Sequence, residues 1–405
     1  GRVTGVQTCA LPILQIGASK MDQLKQKIET AVSESQYDAI LALGVDNYNY
    51  LSRTVLPFAE NYPSRKAAVL MPKEGSPVVI VPEEWSQAVL DQGWTGEMLV
   101  YDENQGYETG AFVKAMEELI VSMGLDKNKI GIDAARVTKG LMDSLSGKLP
   151  GVQWEPADPM FRDLRIIKTE GEIGLIERAC KQADRGIIYA LMHLDGTVGH
   201  QRYSIAEFAE RMRVHTNENG ASGVSLLNCG FGSDGQIYYT PQRGWIKEGD
   251  IFRMDMSGHY MGYWTNLGRM GVTGSPSPEQ EDAYKENILL RDKALEMLKP
   301  GVACNEVYAH VARAAEKQAI GFWKEPGIGH GVGASHHEAP YLNLNCSTEL
   351  KPGMVIALDI YTYGPRKELI HDKDLYVITE DGNRKLSWYM TWDKMYEVYG
   401  MRTTH

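Results

Sequence analysis

The chain has 405 residues, a formal net charge of −11 at pH 7 and 43% hydrophobic residues. This length allows two domains, and the acidic balance excludes nucleic acid and an anionic membrane as main partners, because both require a basic face. No apolar run approaches the ~20 residues of a membrane span. We therefore expect a small-molecule substrate. The five cysteines form no CxxC motif, which indicates a reducing compartment and hence the cytoplasm.

Residues 14–164 are predicted to form an α/β domain. Apolar residues recur at helical spacing after Lys20 and lead into the strand-like run DAILALG, after which strands and helices alternate. No catalytic spacing occurs in this part. The segment before it, residues 1–13, resembles a translated sequencing adapter, so we expect it to be a leader that is not native.

Residues 165–405 are predicted to form a second domain of the α+β class. Thr169 can cap a long helix whose first turn carries Glu170 and Glu172, an arrangement that suits the helix dipole. Further along the chain, helices and strands come in blocks rather than in alternation. This pattern indicates helices layered on an antiparallel sheet.

The residues able to do chemistry lie in a few segments of this second domain. The segment GHGVGASHHEAP, residues 329–340, holds three of the ten histidines, and histidine is the side chain that titrates near neutral pH. A predicted strand pair at 249–269 and the strands LKPGMVIALDIY and DLYVITEDG carry acidic candidates. We therefore expect the site to form where these strands meet.

These segments strongly resemble the catalytic domain of the pita-bread family, which includes methionine aminopeptidase, aminopeptidase P, prolidase and creatinase. The segment LRIIKTEGEIGLIERA is similar to the family's interdomain linker and first helix. The segment YDAILALGVDNYNYLSRTV is similar to the start of the N-terminal domain of creatinase and the proline peptidases. The resemblance implies a pita-bread catalytic domain of the α+β class preceded by a creatinase-type α/β domain.

The metal-dependent members of the family use five ligands: two Asp, a His in the GHG motif and two Glu. In this chain the resemblance puts the five positions on Asp255, Asn266, His330, Asp359 and Lys373. Two neighbouring metal ions need bridging carboxylates, and here the bridging positions hold an amide and an ammonium. A Lys⁺ beside a cation costs roughly 4 kcal/mol per pair of unit charges at about 4 Å and an effective dielectric of about 20. The resemblance therefore predicts that the two-metal site is lost.

No cofactor is expected on this interpretation, and Lys373 would supply the positive charge of the site. The alternative is a single divalent ion, Mn, Zn or Fe, held by Asp255, His330 and Asp359. A lysine in a segment such as HDKDL is usually solvated, so its place inside the site depends on the resemblance alone.

The predicted catalytic residues, which would transfer protons, orient or attack the substrate, or stabilise charge, are His330, His337, Asp255, Asp359, Lys373 and Tyr238. The predicted substrate-binding residues are Arg65, Asn266, Arg269 and His336. Arg65 matches an arginine that in creatinase reaches the site of the partner subunit, so we expect a homodimer. Tyr238 and Gly268 stand where creatinase has a catalytic His and a Glu, which argues against creatine hydrolysis itself.

The leading hypothesis is a hydrolase that cleaves a C–N bond of a small zwitterionic, amidine or amide metabolite without a metal, as creatinase and ectoine hydrolase do. Three alternatives remain open. They are a Xaa-Pro peptidase of the aminopeptidase P or prolidase type with an altered metal site, a lyase on the same scaffold, and a catalytically inactive protein that binds a small molecule.

Overall fold

The computed structural model describes residues 18–57, 59–62, 64–103, 109–195, 204–231, 245–324, 326–387 and 392–399. Within these residues the chain divides into two compact units. The first comprises the described residues up to Leu164 together with Thr169–Gly171. The second comprises Arg165–Lys168 and the described residues from Glu172 onward.

The first unit contains a six-stranded mixed sheet and surrounding helices. The strands are β1 (Ala39–Ala42), β2 (Ala68–Pro72), β3 (Val78–Pro82), β4 (Glu97–Tyr101), β5 (Lys129–Ile132) and β6 (Gln153–Pro156). Their order across the sheet is β4-β3-β2-β1-β5-β6. The helices are α1 (Ala18–Glu34), α2 (Val45–Ser52), α3 (Glu83–Asp91), α4 (Gly110–Ser122) and α5 (Lys139–Lys148), followed along the chain by α6 (Asp158–Ile166).

The strands of this unit depart from the alternation of strand and helix that the sequence suggests. Only residues 73–77 join β2 to β3, and so short a connection permits an antiparallel pair but not a parallel crossover. Strands β1 and β2 are antiparallel as well, whereas the pairs β3–β4, β1–β5 and β5–β6 are parallel. All residues of β1, β2 and β3 are buried, which explains why these strands are continuous apolar runs.

Among the described residues, two of the four helices that follow begin with a serine that caps the first turn. The four helices are α7 (Glu170–Asp195), α8 (Ile205–Glu218), α9 (Pro278–Met297) and α10 (Cys304–Gln318). The side chain of Ser204 accepts a hydrogen bond from the backbone N–H of Glu207, and Ser277 accepts one from Gln280 in the same way. These capping boxes satisfy N–H groups that the first helical turn leaves unpaired. In the described ranges, no helix combines the length and the apolar character that crossing a membrane requires.

The second unit is dominated by an antiparallel sheet. Its strands are β7 (Gly223–Phe231), β8 (Ile251–Tyr260), β9 (Tyr263–Trp264), β10 (Leu267–Thr273), β11 (Gly329–Gly331), β12 (Glu338–Tyr341), β13 (Val355–Tyr363), β14 (Leu369–Ile378), β15 (Asn383–Lys385) and β16 (Tyr396–Val398). The main path runs β12-β11-β13-β14-β10-β8-β7, and each neighbouring pair on it is antiparallel. Helices and strands therefore come in blocks, as the sequence predicts for this part of the chain.

The packing of β13 fixes where its polar residues point. Ile356, Leu358 and Ile360 belong to one buried cluster with apolar residues of α9 and α10. Side chains alternate between the two faces of a strand. Asp359, which lies between two of these residues, therefore points to the opposite face of the sheet.

Candidate active site

A row of residues on neighbouring strands forms the base of the site. The row consists of Asp359 (β13), Lys373 (β14), Gly268 (β10), Asp255 (β8) and Asn228 (β7), each paired directly with the next. Residues directly opposite each other in an antiparallel pair share a face of the sheet. Two acids and a lysine that are far apart in sequence therefore meet, and the glycine leaves space between the lysine and Asp255.

The ammonium group of Lys373 lies between the two acids. Its Nζ is 3.0 Å from Asp359 Oδ2, 3.3 Å from both carboxylate oxygens of Asp255 and 3.2 Å from Asn266 Oδ1. Lys373 is only 2% exposed. Burial by itself would lower the pKa of Lys373, but the two carboxylates outweigh it and hold this pKa above its ordinary value. Lys373 is therefore a buried, charged residue of the site and not a solvated surface lysine.

Asp359 is also held by His371, which is not among the residues predicted from the sequence. His371 Nε2 lies 2.6 Å from Asp359 Oδ1, and the imidazole stacks on Tyr361 with ring centroids 4.0 Å apart. The Tyr361 hydroxyl lies 3.4 Å from Asp255 Oδ2. Burial by itself would raise the pKa of Asp359, but Lys373 and His371 hold it well below its usual range. The period of two in a strand could have revealed His371, because residues 371 and 373 share a face of β14.

His330 is fixed by hydrogen bonds at both ring nitrogens. Its Nδ1 lies 2.9 Å from the carbonyl oxygen of Gly331, so we assign the proton to Nδ1. Its Nε2 then accepts a hydrogen bond from the side-chain amide of Asn266 at 3.3 Å. Burial first, and then His337 and Lys373, lower the pKa of His330 to about 3. The imidazole is therefore neutral at physiological pH.

The other two histidines of the motif stack beside His330. The His337 ring lies 3.5 Å from the His330 ring, and the His336 ring lies 4.5 Å from that of His337. Burial lowers the pKa of His336 to about 3, and burial followed by Lys373 lowers the pKa of His337. His337 is exposed and His336 only partly so. His337 is thus the neutral imidazole of the three that solvent reaches most easily.

Arg269, for which the sequence predicts a substrate contact, is completely buried. It forms ion pairs with Asp184 at 3.1 Å and Asp374 at 2.7 Å. Its Nη1 also donates to the carbonyl oxygens of Gly268 at 2.9 Å and Lys373 at 2.7 Å. In this position Arg269 supports the backbone of the row, and a contact with substrate would require it to leave two buried carboxylates.

Two further predicted residues are not among those brought together in the second unit. Tyr238 belongs to residues 232–244, which lie outside the described residues. Arg65 lies in the first unit, where its Nε is 2.7 Å from Glu103 Oε2 and its guanidinium group lies 4.8 Å from the Tyr62 ring centroid. Both assigned roles stay predictions.

The donor set does not fit the two metal ions that the resemblance implies. Asp255 and Asp359 contribute two negative charges, and Lys373 cancels one of them. A divalent ion on these oxygens would lie about 4 Å from the ammonium group and would be repelled by about 8 kcal/mol at an effective dielectric of about 20. Among the described residues, no group of three or more His, Cys, Asp or Glu side chains is placed to hold a metal ion. Asp255, His330 and Asp359, the ligands of the single-ion alternative, do not form such a group either, and metal binding by these three residues stays a prediction.

A buried ion-pair cluster anchors the segment that carries the histidines. Glu338 directly follows His337, and its two carboxylate oxygens lie 2.6 Å from Lys168 Nζ and 2.6 Å from Arg165 Nη2. The backbone N–H of Ser335 donates to the same carboxylate at 3.3 Å. Burial by itself would raise the pKa of Glu338, but Lys168 and Arg165 hold it below its usual value. The cluster therefore ties the histidine segment to the chain that precedes α7.

Replacing Glu338 by glutamine is expected to lower the free energy of unfolding by about 3 kcal/mol at pH 7, because two buried cations lose their counter-charge. The pKa of Glu338 in the folded state lies below its value of about 4.3 in the unfolded chain. The stability that Glu338 contributes is therefore fully present above about pH 4.3 and is lost as the pH falls through the folded-state pKa. Urea unfolding of wild type and E338Q should show a large difference at pH 7 and a smaller one at about pH 3. E349Q, at an exposed position, is the control. Equal stability of E338Q and wild type at pH 7 would contradict this prediction.

Models of known protein families match both parts of the chain. The model for metallopeptidase family M24 matches residues 174–380, and the model for the creatinase/prolidase N-terminal domain matches residues 25–167. Because the first match covers more than half of the sequence, the chain belongs to metallopeptidase family M24. The predicted family, the predicted fold class and the assignment to the hydrolases that cleave C–N bonds are thereby confirmed.

Several proteins that match the chain over nearly their whole length are named as proline peptidases. The chain is 27% identical to the Xaa-Pro dipeptidase of Pyrococcus horikoshii over 375 residues, which cover 91% of this chain and 97% of that protein. The crystal structure of the prolidase from Pyrococcus horikoshii OT3 matches with a TM-score of 0.74 and 25% identity, covering 91% of this chain and 99% of the other. The X-Pro aminopeptidase of Thermotoga maritima matches with a TM-score of 0.79 at 17% identity, over 92% and 99% of the two chains, and this likeness shows the fold alone.

These relatives correct the leading hypothesis from the sequence. A hydrolase of a small zwitterionic or amidine metabolite, of the creatinase or ectoine hydrolase type, was the wrong choice, because the similar proteins are named as Xaa-Pro dipeptidases and prolidases. The findings favour the first alternative instead, a Xaa-Pro peptidase with an altered metal site.

Proposed function

We propose that the protein hydrolyses Xaa-Pro dipeptides in a pocket whose metal site is altered. The observation that carries this proposal is the extent of the similarity to the Xaa-Pro dipeptidase of Pyrococcus horikoshii, which includes 97% of that relative and therefore both domains. A chain that is similar to a dipeptidase over both domains is expected to bind the same class of substrate.

The side chains of the site can divide the work of hydrolysis among them. Peptide hydrolysis needs positive charge near the carbonyl oxygen, an oriented water molecule and a proton donor for the leaving nitrogen. Lys373 supplies the charge, and Asp255 holds the ammonium group in place. Asp359, whose side chain is 17% exposed, orients the water. His337 takes up a proton from the water and delivers it to the prolyl nitrogen.

The remaining predictions from the sequence belong to this proposal. Arg65, His336 and Tyr238 would contribute to substrate binding or proton transfer as assigned above, whereas Arg269 would act only by supporting the backbone of the row. The protein would act as a homodimer in the cytoplasm, without nucleic acid or membrane partners, on substrates of dipeptide size.

The test is the release of free proline from Ala-Pro and Leu-Pro, with Ala-Ala as the control substrate. The protein is assayed as purified, after dialysis against EDTA, and with added Mn²⁺. We expect proline release from the Xaa-Pro substrates, and a fall in kcat of about 10²–10⁴-fold in H337N, because general acid–base groups contribute a factor of that size. H215N, a histidine on α8, is the matched control. Absence of proline release in all three preparations overturns the proposal.

A second candidate, binding of Xaa-Pro dipeptides without turnover, is favoured by one specific observation. Asn266 and Lys373 stand at two positions where the resemblance implies anionic ligands. Under this candidate, Ala-Pro raises the unfolding temperature of the wild type while no preparation releases proline. A dipeptide that neither stabilises the protein nor is cleaved contradicts both candidates.

A further inference from the structure

We propose that His371 is a positioning residue of the site, which holds Asp359 against Lys373 and which requires glycine at position 268. The effect of His371 on turnover rests on the proposed function, whereas its dependence on Gly268 concerns packing and does not.

The His371 imidazole makes one directed polar contact. The side chain is 0% exposed, and Nε2 lies 2.6 Å from Asp359 Oδ1. Nδ1 has no hydrogen-bond partner among the described residues, so the proton belongs on Nε2, which donates it to the carboxylate. Because the ring is shielded from solvent, it touches no substrate and acts through Asp359.

The carboxylate of Asp359 is held at both oxygens. While Oδ1 accepts from His371, Oδ2 lies 3.0 Å from Lys373 Nζ. With both oxygens engaged, the carboxylate plane cannot rotate without losing a charge-assisted contact. Asp359 is also the partly exposed member of the acidic pair, so its orientation decides how the site presents a negative charge to a bound molecule.

Gly268 provides the space that His371 occupies. A β-carbon at position 268 would lie 2.6 Å from His371 Nδ1 and 2.9 Å from Lys373 Cβ, distances that real β-carbon contacts do not reach. Gly268 and Lys373 are directly paired between β10 and β14, so neither strand can easily shift to relieve the overlap. The imidazole therefore fills the volume that a side chain at 268 would need.

Stacking on Tyr361 restricts the orientation of the His371 ring. His371 and Tyr361 are directly paired between β14 and β13, and their ring planes differ by only 5°. The Tyr361 hydroxyl in turn lies 3.4 Å from Asp255. The imidazole is therefore confined by Gly268 and Tyr361 in the orientation that points Nε2 at Asp359.

The kinetic test compares two substitutions of His371. H371F retains an aromatic ring for stacking but has no donor, while H371Q retains an N–H donor close to the position of Nε2. We expect kcat for Ala-Pro to fall about 10²-fold in H371F with KM changed less than about threefold, and to recover to within about tenfold of wild type in H371Q, because small misplacements of a site group cost factors of this size. Wild-type kcat in H371F, or equal losses in both variants, overturns the positioning role.

The packing test is a double-mutant cycle in thermal unfolding, which requires no activity. G268A is expected to lower the unfolding temperature by about 3–8 °C, since overpacked core positions have effects of this size. In G268A/H371A the overlap with the imidazole is removed and only the approach to Lys373 Cβ remains, so G268A should destabilise H371A clearly less than it destabilises the wild type. The control is G258A on β8, where the nearest atom to an added β-carbon is 3.5 Å away.

The two tests separate the possible failures. Additive losses in the cycle, or a G268A variant as stable as G258A, overturn the dependence on Gly268 whatever the activity.

If the wild type releases no proline, the proposed function fails. The role of His371 is then decided by the affinity for Ala-Pro in calorimetry, where H371F should bind more weakly than H371Q. Equal affinities of these two variants overturn it. If H371F does not fold, the comparison of H371Q with H371A decides in the same way.

Discussion

Replacing Lys373 by methionine is expected to lower the free energy of unfolding by about 5 kcal/mol at neutral pH. The change leaves the carboxylates of Asp255 and Asp359 without the cation that lies between them. The loss should be measurable by urea unfolding. Proline release should fall in parallel, since the same ammonium group supplies the positive charge of the proposed mechanism.

The pH dependence of the difference in unfolding free energy between wild type and K373M tests whether the loss of stability is electrostatic. In the wild type the pKa of Asp359 is held low, so its contribution to stability is present above the unfolded value of about 3.9 and is lost as the pH falls through the folded-state pKa. Without Lys373, burial is expected to raise that pKa above the unfolded value, and stability then declines as the pH rises through it. The difference between wild type and K373M should therefore be largest at neutral pH and shrink towards pH 4.

A matched control separates charge from folding in general. K351M removes an exposed lysine ahead of β13 and should leave the free energy of unfolding nearly unchanged. Equal stability of K373M and K351M at neutral pH would mean that the ammonium group does not offset the buried acids, and the assignment of the site's cation would be wrong.

The double variant N266D/K373E should acquire divalent metal ions, and the wild type should not retain them. The substitutions change the formal charge of positions 255, 266, 359 and 373 from −1 to −4, and they restore the anionic side chains that a pair of metal ions requires. Elemental analysis after dialysis should find about one to two equivalents of Mn²⁺ per chain. Mn²⁺ should also raise the unfolding temperature of the variant. At a hundredfold excess over Kd, the bound ion should add about 2.7 kcal/mol to the free energy of unfolding.

The control for this experiment is N345D/K351E, which makes the same change in charge at exposed positions. It should take up no stoichiometric metal. A wild-type protein that carries an equivalent of divalent metal, removable by EDTA and restored by dialysis, would show that Lys373 does not exclude metal. A folded N266D/K373E variant without metal uptake would show that the donor geometry itself has changed.

Much of the fold could be predicted because its signals are local. The apolar runs that became β1, β2 and β3 are properties of short segments. The order of strands was less accessible, since the short connection between β2 and β3 overrides the apparent alternation. Antiparallel blocks in the second unit followed from the arrangement of helices and strands alone.

The site was predicted in part, through motifs rather than through contacts. The family pattern led to Asp255, Asp359 and Lys373, and the structure brings these three side chains together. The period of two places His371 on the same face of β14 as Lys373, but its contact with Asp359, which lies on another strand, depends on the register between β13 and β14. Arg269 was assigned to substrate because a sequence does not show that Asp184 and Asp374 surround it.

The function was misjudged for a physical reason. The loss of anionic ligands at Asn266 and Lys373 concerns the charge of the site, whereas the choice of substrate depends on the shape of the whole pocket. A few altered side chains therefore say little about which molecule fits, and similarity over the full length is the better guide to substrate class.

The space above Gly268 has a consequence for the order in which substitutions can be introduced. A larger residue at position 268 would disfavour histidine at position 371, because the two side chains would overlap. A directed-evolution path that starts from a side chain at 268 should therefore acquire glycine there before histidine at 371 becomes favourable, and a library that varies the two positions separately will rarely find the combination.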